Sequence, residues 1–246
     1  MKINIFATAI NVEVVRKSIS QIEQIFNLKN LSINVPDSDL DLYRNNFYNI
    51  NFIPDSTLLD YRLLKKLENS SRPGWNKQQV LKLLQVSANQ EDTLIIDGDT
   101  ILRTSLLQEI LMQRVLYTTK ENVDHYNLLL ERILNFQLSD KSYITNFGVF
   151  SPRDYASIGM ECFIEQLING ETTSMPISEY QLNGNLRRFN VNSQRPLRIF
   201  RRADLLSLST EKILNSYECV CYESRHKTNF FRVFLAHIAF LIGYSW

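Results

Sequence analysis

Two carboxylates separated by one glycine close the most apolar short run in the N-terminal half of the chain: Thr93-Leu94-Ile95-Ile96-Asp97-Gly98-Asp99-Thr100. Large β-branched and aliphatic residues in an unbroken run read as a buried strand. A carboxylate at the end of such a strand is partly desolvated and needs a partner. Two at this spacing on a tight turn can face one divalent cation, and hard oxygen ligands suit Mg²⁺ or Mn²⁺, which bridge carboxylates to substrate phosphates. Gly98 has no side chain, so a phosphate could approach the backbone there. The plainer alternative is a strand ending in an Asp-Gly turn that caps the next helix.

Other residues could join that chemistry. Arg72 can hold two phosphate oxygens at once through its guanidinium. Lys77 and Gln78 follow Trp75 at a helix start, where free N–H groups and the helix dipole favour anions. Glu179, at a second helix start after Pro176, is either a dipole-stabilised end residue or a general base for a hydroxyl. Of the three histidines, His226 lies in a polar turn late in the chain and His125 and His237 are weaker candidates. Arg187, Arg188, Arg195, Arg198, Arg201 and Arg202 form a basic run that reads as solvated charge or as a patch for diphosphate, acidic sugar or anionic head groups.

Elements must position these groups. Lys2 to Thr8 reads as a strand, Asn11 as a cap, and Val12, Val15, Ile19, Ile22 and Phe26 as one helical face. Leu31 to Val35 is a second strand closed by Pro36, giving a βαβ unit with a parallel pair. Ile50 to Ile53 is a third strand, and residues 60 to 67 and the stretch from Trp75 are helical. The first hundred residues thus run toward an α/β fold, with Asp97 and Asp99 at the C-terminal strand end where such sheets bind ligands. Residues 105 to 116, 123 to 136, 153 to 169 and 204 to 216 read as helices. Residues 143 to 150, 197 to 202 and 219 to 222 read as strands, and residues 178 to 185 open another helix. A last helix starts near Thr228. Phe230 to Trp246 is apolar but carries Arg232 and His237, which suits a core or interfacial helix better than a membrane span.

With 246 residues, 44% hydrophobic and 22% charged, the chain can bury a sizeable core and is not disordered. A formal net charge of +1 gives no reason to expect nucleic acid as a partner. Three cysteines, Cys162, Cys219 and Cys221, do not read as a disulfide framework, which favours a reducing compartment. Met1 to Ala7 reads as a strand, not a signal peptide. The absence of GxGxxG and of a Walker loop argues against the ordinary dinucleotide and P-loop classes.

Four stretches, taken in order, resemble one family: Arg72-Pro73-Gly74-Trp75-Asn76-Lys77-Gln78-Gln79, then Leu94 to Thr100, then Asn146-Phe147-Gly148-Val149-Phe150-Ser151, then Ser178-Glu179-Tyr180 with Gly184-Asn185. The chain is similar over residues 1 to 230 to bacterial GT-A type glycosyltransferases of surface-polysaccharide (capsule or lipopolysaccharide) synthesis, departing from their pattern at Asn76 and Asn146-Phe147. The resemblance implies a single GT-A domain over 1–246, with a nucleotide-sugar half at 1–104 and an acceptor half at 105–246. It implies a DxD metal site for Mn²⁺ or Mg²⁺, in which Asp99 ligates through the diphosphate-bound ion. Asp97 would contact ribose or a metal-bound water, and a late histidine, His226, would complete the shell. It also implies that Ala7 and Thr8 touch the nucleotide and that the partners are a nucleotide-diphosphate sugar and a saccharide or lipid-linked saccharide. The expected location is cytoplasmic, with peripheral membrane contact as an option.

Two rival functions follow from the same residues. A haloacid-dehalogenase-like phosphatase also uses Asp-x-Asp after an apolar strand, but it needs a threonine where this chain has Ile101, and its nucleophile strand usually comes first. A non-catalytic nucleotide-sugar or polysaccharide binder would keep Asp97 and Asp99 without turnover.

Overall fold

The computed structural model describes residues 1–70, 72–112, 115–170, 177–191, 193–202 and 210–222. Among them run ten strands: β1 (Lys2–Phe6), β2 (Leu31–Val35), β3 (Asn51–Pro54), β4 (Thr93–Asp97), β5 (Thr100–Leu102), β6 (Val115–Thr118), β7 (Phe147–Phe150), β8 (Ser193–Pro196), β9 (Ile199–Arg202) and β10 (Cys219–Tyr222). The central sheet has the order β3-β2-β1-β4-β7. Its first four strands are parallel and β7 runs antiparallel against β4. This is a mostly parallel sheet flanked by helices, as the sequence led one to expect.

Period-two alternation divides the core between the two faces of that sheet. Ile3, Ile5, Ile33, Leu94 and Ile96 face one side, where Val15, Ile19 and Ile22 of the helix Val12–Ile22 pack on them. Ile95 faces the other side, against Val80, Leu83 and Val86 of the helix Pro73–Ala88 and Ile164 and Leu167 of the helix Met160–Gly170. β4 is therefore buried on both faces, which is why its sequence is an unbroken apolar run.

A second sheet, β5-β10-β9, continues directly from the Asp97-Gly98-Asp99 turn. The two cysteines of β10 lie on one face with sulfurs 3.7 Å apart, unbonded and buried, while Val220 between them joins a different cluster with Ile101 and Ile213. A third sheet pairs β6 with β8.

Three expectations need correction. The helix expected over 105–116 stops at Met112, and Val115-Leu116-Tyr117-Thr118, a β-favouring run, becomes β6. The helix expected over 153–169 is broken: Pro152–Tyr155 and Met160–Gly170 are separated by Gly159 at φ 59°. The strand expected over 143–150 is confined to β7, because Asn146 adopts φ 60° and turns the chain out of the extended conformation. His226, His237 and residues 230–246 lie outside the described residues. No helix among the described residues is long and apolar enough to cross a membrane.

Candidate active site

The C-terminal ends of β1 and β4 meet at one point. Phe6 lies opposite Asp97 in the parallel ladder, and the Gly98 N–H donates to the Phe6 carbonyl at 2.7 Å. A Cβ on Gly98 would fall 2.7 Å from Ala7 Cα, Ala7 Cβ and the Phe6 oxygen, so the glycine is needed for the strands to approach. That close neighbour is protein backbone, which gives Gly98 a reason beyond the phosphate contact read from sequence. The Asp99 carbonyl accepts from Tyr222 N–H at 2.7 Å and its carboxylate from the Thr100 hydroxyl at 3.0 Å, so the turn is tied to β10.

A cleft of about 660 Å³ opens over this turn. Ala7, Thr8, Asp97, Gly98 and Asp99 form its floor, and Arg72, Lys77 and Gln78 stand on the wall made by the helix Pro73–Ala88. The structure thus brings eight of the ten sequence-derived site residues to one cavity. The helix begins at Pro73, so Lys77 and Gln78 sit two residues further in than a helix opening at Trp75 would put them. The Lys77 ammonium pairs with the buried Asp55 carboxylate at 2.6 Å. Burial pushes the Asp55 carboxyl up, and Lys77 works against that rise. The Arg72 guanidinium lies over the Trp75 ring, 4.5 Å from its centroid, and Trp75 Nε1 donates to the Ile177 carbonyl at 2.8 Å. Thr8 is fixed by Asn11, whose Oδ1 accepts from both its N–H and its hydroxyl at 2.9 Å.

Glu179 is placed differently from the sequence expectation. It follows the N-cap Ser178, but its carboxylate turns inward, 2% exposed, and receives a hydrogen bond from Lys82 Nζ. The same ammonium donates to Asp97 Oδ1. Lys82 therefore stands between Glu179 and Asp97, and Glu179 is absent from the cleft lining. A base for an acceptor hydroxyl must reach the oxygen it deprotonates. A carboxylate sealed behind an ammonium does not reach into the cleft. Burial, joined by the Asp97 charge, pushes the Glu179 carboxyl up against the pull of Lys82. Burial alone would lower Lys82, but the two carboxylates outweigh it and hold it above its ordinary value, a cation.

Lys82 was passed over in the sequence, and Tyr180 and Asn146 were quoted there only as parts of motifs, without a role. Tyr180 donates its hydroxyl to Asp97 Oδ1 at 2.9 Å, and burial with the Asp97 charge keeps that phenol protonated. Asn146 lines the cleft, accepts the Asp97 N–H on its carbonyl at 2.9 Å, and leaves its buried Oδ1 without a partner. One signal is present in the sequence: Lys82 lies between Leu81 and Leu83 within the helix read from Trp75, and a lysine buried there must be paired.

The basic run of residues 187–202 is not one patch. Arg195 is held by Glu109 at 2.6 Å and Glu218 at 2.7 Å, Arg187 donates to the Val149 carbonyl at 2.6 Å, and Arg201 pairs with Glu121 at 3.0 Å at the cleft wall.

No family model matches the sequence, and no curated protein matches it. Solved structures do resemble it. The bifunctional glycosyltransferase WbbM aligns over 97% of this chain and 49% of its own at a TM-score of 0.50 and 12% identity. The galactosyltransferase LgtC, solved with donor and acceptor sugar analogues, aligns over 97% and 96% at 0.48 and 12%, and mouse xyloside xylosyltransferase 1 over 92% and 99% at 0.48 and 10%.

The chain has the GT-A fold. Within a GT-A frame the Asp97-Gly98-Asp99 turn lies at the carboxyl end of the parallel strands, where open α/β sheets bind their ligands. Asp97 and Asp99 offer hard oxygen donors of the type Mg²⁺ and Mn²⁺ take. One oxygen of Asp97 is already engaged by Lys82 and Tyr180, and among the described residues no cluster of three or more His, Cys, Asp or Glu is assembled. Two carboxylates do not complete a cation's shell, so a cation held here would take its other ligands from a substrate or water. His226, expected as a third ligand, lies outside the described residues.

Proposed function

We propose that the chain is a metal-dependent glycosyltransferase. It would move a sugar from a nucleotide-diphosphate donor to a saccharide or lipid-linked saccharide acceptor in bacterial surface-polysaccharide synthesis, at the inner face of the cytoplasmic membrane. One observation carries the reading: a DxD turn and the cationic side chains Arg72 and Lys77 face one another across a single cleft at the strand ends of a GT-A fold.

In this reading residues 1–104 bind the donor and residues 105–246 build the acceptor side. Ala7 and Thr8 contact the nucleoside, and Arg72, Lys77 and Gln78 meet the diphosphate. Asp99, with Asp97, would hold Mn²⁺ or Mg²⁺, which would neutralise the charge that develops on the leaving diphosphate. The bond from the anomeric carbon to the diphosphate breaks and releases the nucleoside diphosphate, the acceptor oxygen bonds to that carbon, and the acceptor proton passes to solvent water or to the released diphosphate. Lys82 fixes one oxygen of Asp97 and leaves the carboxylate a defined direction. Glu179 is a positioning residue that keeps Lys82 in place, a role that supersedes direct proton abstraction.

A donor screen tests the reading. A ligand that binds only the native state stabilises it by about 2.7 kcal/mol at a hundred times its Kd. A nucleotide-diphosphate sugar should raise the melting temperature with Mn²⁺ present, and Asp99→Ala should remove the shift. A full panel without any shift would refute it, and shifts without product from a labelled donor would point instead to a non-catalytic binder.

A further inference from the structure

A second cavity, of about 550 Å³, lies at the C-terminal end of the helix Glu179–Arg187. Glu179 and Lys82 are at the other end of that helix, roughly 13 Å away at 1.5 Å per residue. Phe136, Arg153, Asn185, Arg188, Phe189 and Asn190 line it. Phe189 is 76% exposed and Phe136 37%, unusual for two phenylalanines sharing one hollow.

The charges in this cavity are unbalanced. The Arg188 guanidinium lies over the Phe189 ring, 4.7 Å from its centroid, and donates from Nη1 to Asn185 Oδ1 at 3.1 Å. Its Nε is buried and has no partner. Neither Arg153 nor Arg188 has a carboxylate partner among the described residues. The carboxylate that also lines the cavity, Asp154, is taken up by Asn190 at 3.0 Å and by Arg187 at 3.9 Å. What remains is two guanidinium groups without carboxylate partners, the exposed rings of Phe136 and Phe189, and the exposed amides of Gln137 and Asn190, since the buried Asn185 amide is taken up by Ser139, Gln181 and Arg188.

Those groups match one kind of ligand. Aromatic faces cover the apolar C–H faces of sugar rings, planar amides hydrogen-bond hydroxyls, and a guanidinium takes a carboxylate with two parallel bonds. We propose that this cavity binds an anionic saccharide, a chain segment that carries carboxylates, at a site separate from the cleft. The inference stands on the cavity's own residues and goes beyond the transfer reading. If both hold, the cavity anchors a distal part of an acidic acceptor chain while its end is extended.

Calorimetric titration with tetragalacturonate, and with maltotetraose as the neutral counterpart, tests it. The wild type should bind the uronate and bind maltotetraose at least about tenfold more weakly. Arg153→Gln and Phe189→Ala should each weaken uronate binding by about tenfold, the loss expected for one charged hydrogen bond or one stacking face. Both residues are exposed, so both variants should keep the wild-type melting temperature and the donor-induced thermal shift. That separates this test from failure of the transfer reading. No uronate binding at millimolar concentration, equal binding of the neutral chain, or wild-type affinity in both variants would overturn the proposal.

Discussion

Replacing Lys82 by methionine keeps most of the side-chain volume and removes the one cation between Asp97 and Glu179. Lys82 is completely buried, and its ammonium donates to both carboxylates. Deleting one partner of a buried charge pair typically costs about 3–5 kcal/mol, because the remaining charge is stranded. Here two anions are stranded together, with side chains 15% and 1% exposed, so Lys82→Met should fall in the upper part of that range at pH 7. Glu179→Gln alone leaves Lys82 paired with Asp97 and should cost about 1 kcal/mol. The informative quantity is the combination. In the Lys82→Met background, Glu179→Gln removes a stranded anion and should be stabilising, by about 1–3 kcal/mol, so the sign of its effect reverses. Acid should act the same way. Glu179 already titrates above its ordinary value in the fold, so proton uptake there favours the native state: its contribution is fully present below the unfolded value of 4.5 and is lost as pH rises through the folded value. Loss of Lys82 strengthens that dependence, so the gap between Lys82→Met and wild type should narrow as pH is lowered from 7 to 5. Urea unfolding of the four proteins at both pH values measures this, given equal m-values. If the Glu179→Gln cost is the same in both backgrounds within about 0.5 kcal/mol, the three groups do not act as one unit and the positioning role of Glu179 fails.

Three other outcomes follow. Gly98→Ala places a methyl 2.7 Å from the β1 backbone and should destabilise by about 1–3 kcal/mol or more, with loss of donor binding, as read by urea unfolding and thermal shift. The Arg195 hydrogen bond holds Glu109 below its ordinary value; burial would raise Glu218, but bonds from Arg195 and the Arg198 N–H hold it low as well. Depressed carboxylates stabilise the fold above the unfolded value of 4.5 and lose that contribution as pH falls through the folded value, so Arg195→Met should cost roughly 1.5–3 kcal/mol near neutrality and flatten the acid limb of the stability profile. Gly184→Ala would set a methyl 2.1 Å from the Tyr143 ring and should lower the melting temperature clearly while leaving the cleft residues untouched, a split that unfolding and donor-binding measurements resolve.

Local pattern was enough to find β1, β2, β4 and β10 and the helix Val12–Ile22, because their apolar residues repeat at the period of the element. It was enough to find the DxD turn, since both carboxylates belong to one stretch of chain. It failed where an element is defined by a partner far away in sequence: β6 forms against β8, some eighty residues later. It failed in the same way for the charge network, since the Lys82–Glu179 contact spans 97 residues. Glu179 was selected for its type and its helix start, but whether a side chain at a first turn faces a cleft or the interior is fixed by what packs beside the helix. The resemblance to GT-A enzymes pointed to the fold; that Lys77, one of the two side chains proposed to meet the diphosphate, already holds Asp55 came only from the folded chain.

The central claim is that the Asp97-Gly98-Asp99 turn works with a divalent cation to transfer a sugar. Its most direct test is transfer of label from a nucleotide-diphosphate sugar that passes the thermal-shift screen to a mixed saccharide acceptor pool, with Mn²⁺, with EDTA, and with Asp99→Ala. Without the cation, the diphosphate would face two carboxylates in a poorly solvated cleft, a repulsion of several kcal/mol at an effective dielectric of about 20. That is ample to remove turnover, since each 1.4 kcal/mol is about tenfold in rate. The account predicts labelled product with Mn²⁺, its loss in EDTA, its return on adding metal back, and none from a folded Asp99→Ala variant; undiminished transfer in EDTA or by that variant would contradict it.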